Sequence, residues 1–159
     1  MNEEHVQEQR QELWRTFLSA NVQLMERLDH ELQQRSNLNI TDFEILSALS
    51  EANDQRLRMS ELAREVLVSR SRLTYRVDRL TEVNFVSREE CEDDRRGLWA
   101  ILTTEGSEAL SAAKGGHFTD IDNWFFALMD EQEQEILGQV MARIEAKLAK
   151  NSGRGSSLG

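Results

Sequence analysis

The sequence predicts a mainly α-helical fold carrying one small β-hairpin, and three observations predict it. Proline is absent from all 159 residues and glycine occurs only eight times, which suits a chain that is mostly helix. Apolar residues recur at spacings of three and four along most of the chain, the period of a helix with one buried face. That period breaks once, between Phe85 and Leu102, where two short apolar stretches flank a charged turn. An aromatic content of only 6% agrees, since it argues against a β-sandwich.

The elements follow in order. Residues 6–35 read as one long helix, with Leu13, Phe17, Ala20, Leu24, Leu28 and Leu32 as its stripe and Trp14, Leu18 and Met25 widening it. Thr41-Asp42-Phe43-Glu44 has the form of a capping box and opens a short second helix that Asn53-Asp54 breaks. Ser60 is placed to cap a third helix, Glu61 to about Val66. Ser69 is placed to cap a fourth, Arg70 to about Val83, in which Leu73, Val77 and Leu80 form an i, i+4, i+7 core face. Two helices joined by a turn of about three residues, the second with arginines on its outer positions, make the helix-turn-helix plan.

Phe85–Cys91 then reads as a strand, 92–97 as a polar turn and Leu98–Leu102 as a second strand, with Arg58-Met59 available as a third. A hairpin directly after the second helix of such a pair is a wing. Thr103-Thr104 caps a further helix that Gly115-Gly116 is expected to kink or interrupt before it resumes through Ile121 to Met129. Asp130-Glu131-Gln132-Glu133 starts the last helix, whose stripe is Ile136, Leu137, Val140, Met141, Ile144 and Leu148. The predicted organisation is a winged helix-turn-helix over residues 36–104, flanked by a dimerisation helix over 1–35 and dimerisation helices over 105–150. A disordered tail is expected over 151–159. The flanking stripes exceed what a module of about 70 residues needs for its own core, and a second copy of the chain is the simplest cover for them.

Charge and cysteine usage narrow the function classes. The net charge is −10, which taken whole would repel nucleic acid, but it is unevenly spread. Lysine occurs only at Lys114, Lys147 and Lys150, and ten of the 16 arginines fall between Arg56 and Arg96. Within residues 63–80 there are five arginines against two acids. A basic stripe on an acidic body can hold DNA at one surface; charge alone leaves a solvated mixed-charge helix equally open. No apolar run approaches the ~18 residues of a membrane span, and MNEEHVQEQRQEL lacks the apolar segment of a signal peptide. A soluble, cytoplasmic protein without membrane contact is expected. The single cysteine, Cys91, excludes an intramolecular disulfide, and its acidic neighbours Glu89, Glu90, Glu92 and Asp93 disfavour a reactive thiolate. Neither a phosphate-cradling glycine loop nor a nucleophile elbow is present, and His5, His30 and His117 lack ligand or triad spacing. The reading is of a non-enzyme that needs no cofactor or metal.

In order and spacing these residues resemble the MarR family of bacterial winged-helix regulators. The matching pieces are Ile40-Thr41-Asp42-Phe43-Glu44-Ile45-Leu46, Ser60-Glu61-Leu62-Ala63, the run from Val68 to Leu80, Asp94-Arg95-Arg96, and Leu102-Thr103-Thr104-Glu105-Gly106. Two departures stand out: Leu67 occupies a turn position that is often glycine in the family, and Asn84-Phe85 replaces a glycine-containing turn into the wing. The resemblance implies a homodimeric repressor that binds a palindromic operator on double-stranded DNA. Its second helix would enter the major groove through Ser69, Arg70, Ser71, Arg72, Thr74, Tyr75 and Arg76, where arginine can take guanine O6 and N7 together. Arg79 is assigned a phosphate contact or an ion pair with Asp78 or Glu82. On the wing, Arg95 and Arg96 lie at the tip, Arg96 reaching the minor groove with Asp94 orienting it. Many relatives are released by a small aromatic or phenolic effector. Here Trp14, Phe17, His30, Phe43 and Trp124 would line such a crevice, but each suits an ordinary core equally and none is assigned. Activation rather than repression stays open, because the sign depends on operator position. The competing reading from another class is a winged-helix protein-interaction adaptor, which would need no arginine stripe.

Overall fold

A computed structural model describes the backbone of residues 3–91 and 94–152 and the side chains of 4–91 and 97–149. The chain divides into two compact units, Met1–Asp120 and Ile121–Gly159. In order, the elements are α1 (Glu3–Ser36), α2 (Ile40–Glu51), β1 (Arg56–Arg58), α3 (Met59–Glu65), α4 (Arg70–Glu82), β2 (Val86–Cys91), β3 (Asp94–Leu102), α5 (Thr104–Trp124) and α6 (Glu131–Ser152). The predicted class, mainly α with a small β wing, is the observed one. Among the described residues no helix is long and apolar enough to cross a membrane.

The first unit is built around the inner faces of α2, α3 and α4. Ile45, Leu46, Leu49, Leu62, Leu73 and Val77 are almost fully buried, with Leu32 of α1, Val86 and Ala100 of the sheet and Leu110 and Ala113 of α5 closing the cluster. The i, i+4, i+7 triad of α4 is thus its core face, which turns the helix's other positions outward. The sheet is antiparallel in the order β1-β3-β2, with Arg58 paired to Trp99 and Val86 to Leu102. The hairpin is longer than expected: Asp94–Gly97, read from sequence as turn, belong to β3, and a bulge lies between Glu90 and Cys91. The third strand is Arg56–Arg58; Met59 already begins α3.

Local chemistry corrects several boundaries. The capping box of α2 is one formed by Asn39 and Asp42: Asn39 Oδ1 accepts from the Asp42 amide at 2.8 Å, and Asp42 Oδ2 accepts from the Asn39 amide at 3.2 Å. Thr41, the expected cap, is buried inside the first turn. Likewise Ser60 lies within α3, whose start is tied by the Arg58 amide donating to Glu61 at 3.1 Å. Ser69 does cap α4, its Oγ accepting from the Arg72 amide at 3.3 Å. At the end of α4 the Phe85 amide reaches back to Leu80 and the Asn84 amide to Thr81, with Asn84 at φ 61°. This is a Schellman ending that needs one left-handed residue. The α3–α4 turn has the same form. Val68 donates to Ala63 across Leu67, which sits at φ 54° and is 90% exposed. A leucine there carries strain that glycine would not.

Gly115-Gly116 does not interrupt α5, which is continuous from Thr104 to Trp124. A Cβ on Gly116 would stand 2.4 Å from Arg35 Nη1 and 2.7 Å from Arg35 Cδ. The glycine is there to let the Arg35 side chain cross α5 and reach Asp120, to which it donates two hydrogen bonds of 2.7 and 3.1 Å. Beside this pair, His117 is buried with its ring 4.5 Å from that of Phe43, and its Nδ1 has no partner among the described residues. Burial pushes the His117 imidazole below the ordinary histidine value; Asp120 pulls it up and Arg35 opposes that. The unfolded chain takes this proton near pH ~6.5 and the folded one only at lower pH. Stability is therefore unaffected above that range and is lost as pH falls through it. The melting temperature of the wild type is expected to drop more between pH 7.5 and 5.5 than that of His117→Leu; equal drops would remove His117 from the account.

The second unit contains the end of α5, a single 3-10 turn at Phe126–Leu128 and α6. Its capping box stands where the sequence places it, with Glu133 donating to Asp130 at 2.8 Å and Asp130 to Glu133 at 2.9 Å. The last helix extends to Ser152, and residues 153–159 of the expected disordered tail lie outside the described residues. Within the first unit, Leu110, Ala113, His117 and Asp120 of α5 are buried.

Candidate nucleic-acid interface

With Leu73, Val77 and Leu80 inward, the N-terminal half of α4 presents Ser69, Arg70, Ser71, Arg72, Thr74 and Tyr75 to solvent. The two serine hydroxyls lie 3.2 Å apart, and Tyr75 is 60% exposed. Arg72 is steadied through Nη2, which donates to buried Thr41 at 3.3 Å. Neither Arg70 nor Arg72 forms an ion pair among the described residues.

The remaining arginines of the stripe behave differently. Arg76 turns toward α2, where its Nε donates to Asp42 Oδ1 at 2.8 Å and its Nη2 to Asp42 Oδ2. The Asp42 carboxylate is only 4% exposed and the Arg76 side chain 21%, so Arg76 ties α4 to α2. Arg79 donates to Glu82 at 2.5 Å on the exposed side of the helix, one of the two roles its position allows. Asp78, the other acid considered for Arg79, pairs with Arg88 of β2 at 2.6 Å, and Arg88 also donates to the Thr74 carbonyl at 3.2 Å. Arg88 thereby locks the wing strand against the outward-facing helix. Sequence reasoning passed over both Arg88 and Asp42, whose partners lie 10 and 34 residues away.

The backbone of Asp94, Arg95 and Arg96 starts β3, next to the hairpin tip, while their side chains lie outside the described residues. Cys91 is 3% exposed, which removes it from solvent oxidants as well as from an activating environment. Of the residues named for an effector crevice, Phe43 is core against His117. Trp14 and Phe17 stack on each other at 5.7 Å on an exposed face of α1, His30 is exposed, and Trp124 belongs to the second unit.

A helix pair with an outward polar second helix, followed by a β-hairpin wing whose sheet is completed by β1, defines a winged helix-turn-helix regulator. Comparison with known proteins agrees. A MarR family profile matches residues 36–97. The HTH-type transcriptional repressor YetL of Bacillus subtilis is 30% identical over 136 residues, spanning 84% of this chain and 81% of YetL. Two MarR family regulators of Streptomyces coelicolor are each 36% identical. Sco3205, solved in complex with DNA, has a TM-score of 0.83 over 87% of this chain and 90% of its own; AbsC has 0.81 over 88% and 94%. The chain belongs to the MarR family of transcriptional regulators, and these relatives are regulators rather than enzymes.

Proposed function

We propose that this chain is a homodimeric, sequence-specific DNA-binding transcriptional repressor. The carrying observation is the division of the arginines: among the described residues Arg70 and Arg72, on the outer N-terminal half of α4, form no ion pair, whereas Arg76 and Arg88 pair with Asp42 and Asp78. A guanidinium without a direct ion pair, on a helix locked in place by others with one, suits bidentate recognition of guanine in the major groove. Ser69, Ser71, Thr74 and Tyr75 supply hydroxyls for bases or phosphates, and Arg95 and Arg96 on the wing suit the electronegative minor groove. Repression is favoured by the likeness to YetL.

Dimerisation is favoured by α1. Leu13, Trp14, Phe17, Leu18, Val22 and Met25 are 41–70% exposed along it, a continuous apolar face of the kind that marks an interface. A two-fold dimer would bring two α4 helices to half-sites about one DNA turn apart, so the operator is expected to be roughly palindromic. The test is a fluorescence-anisotropy titration against the chain's own promoter DNA, repeated with random duplex and at raised salt. Nanomolar, salt-sensitive binding with a preference of at least ~10³ for the promoter is expected. Equal binding to both duplexes would favour the adaptor reading instead.

A further inference from the structure

Between the outer half of α4 and the first residues of the wing lies a cleft of about 310 Å³, lined by Arg58, Ser60, Arg70, Thr74, Gly97 and Leu98 among others. Among the described residues its charged and polar lining consists of two guanidiniums and two hydroxyls, with no carboxylate. Arg58 is half-buried and forms no ion pair among the described residues. It is held all the same: the β1–β3 register sets Arg58 opposite Trp99, and its guanidinium lies 5.4 Å from the Trp99 ring centroid. Arg56 approaches the same ring at 4.9 Å, with only the exposed Asp54, 3.8 Å away, as its counter-ion. Two guanidiniums gathered on one indole, one of them without a carboxylate, leave positive charge that an anion from outside would neutralise.

The position says which anion. The ridge that separates a duplex's major groove from its minor groove is the sugar-phosphate backbone. A module that sets α4 in one groove and its wing in the next must straddle that ridge, and the hollow between them is what faces it. We propose that the Arg58 cleft seats a backbone phosphate of the bound duplex, with Arg58 as its main cation and Ser60 as a hydroxyl donor. This rests on the DNA-binding reading above. It adds to that reading a sequence-independent anchor, fixing the depth and angle at which α4 meets the bases. Neither Arg58 nor Ser60 is marked by the helical pattern of α4, because they reach the cleft from β1 and the first turn of α3.

The experiment measures the affinity of the full-length wild type, Arg58→Gln and Arg58→Lys for promoter and random duplexes across a salt series, with melting temperatures alongside. Arg58→Gln is expected to weaken binding to both duplexes by a similar factor, roughly tenfold, and to lower the log–log salt slope by about 0.9, the value of one phosphate. Arg58→Lys, which keeps the charge, is expected to retain the wild-type slope and the wild-type melting temperature. A loss confined to the promoter duplex, or an unchanged slope in Arg58→Gln, overturns the proposal. Those outcomes are distinct from failure of the DNA-binding reading, in which the wild type itself shows no promoter preference.

Discussion

Replacing Asp42 with alanine is expected to destabilise the first unit by roughly 3–5 kcal/mol, the range for removing one partner of a buried ion pair. The carboxylate has two tasks at once. It closes the capping box of α2 by accepting from the Asn39 amide, and it receives both Nε and Nη2 of Arg76. Without it, α2 keeps the Asn39 cap but loses the reciprocal half of its capping box, and the Arg76 guanidinium, 21% exposed, is left between two helices without the Asp42 counter-charge. Arg76→Ala is expected to be comparably damaging, because it strands a carboxylate that is 4% exposed. Since small domains hold only about 5–15 kcal/mol in total, urea denaturation should show either change as a large fall in midpoint. Loss of operator binding by Arg76→Ala would then follow from loss of fold. An unfolding free energy within about 1 kcal/mol of wild type in both variants would mean that the pair is a surface contact of little weight.

The second large effect concerns assembly. Trp14→Glu combined with Leu18→Glu places two carboxylates on the exposed apolar face of α1. The variant is expected to be monomeric by sedimentation at concentrations where the wild type is dimeric. Neither residue belongs to the buried core, so its melting temperature is expected to change far less than in the Asp42 variant, apart from the dimer's own contribution. Operator affinity is expected to fall by about 10²–10⁴, because the second half-site is no longer engaged at the effective concentration that linkage provides. A variant that stays dimeric, or a monomer that binds the operator as tightly as wild type, would contradict the proposed assembly.

What was legible in the sequence was what depends on neighbours along the chain. The apolar triad of α4, the Ser69 cap and the Asp130–Glu133 box all follow from local spacing or local chemistry, and each is found in place. The misreadings have a common cause in tertiary contact. Thr41–Glu44 and Asn39–Asp42 both fit the capping pattern, and the choice between them is made by packing that buries Thr41 and gives Asp42 to Arg76. A glycine pair reads as a helix break until Arg35 is seen crossing it. Residues 94–97 read as turn because they are polar, yet β2 supplies backbone partners that carry the strand back to Asp94. The arginine stripe was visible as composition, but its sorting was not: the ion pairs that hold Arg76 and Arg88 join residues that only folding brings together.

That sorting is the centre of the account, and one comparison tests it most directly. Operator affinity and melting temperature are measured together for the Arg70→Ala, Arg72→Ala double variant. The account predicts at least a hundredfold loss of affinity, as removal of two bidentate contacts at about 1–3 kcal/mol each requires, with a melting temperature close to wild type. A double variant that is folded and still binds the operator at wild-type affinity would contradict it.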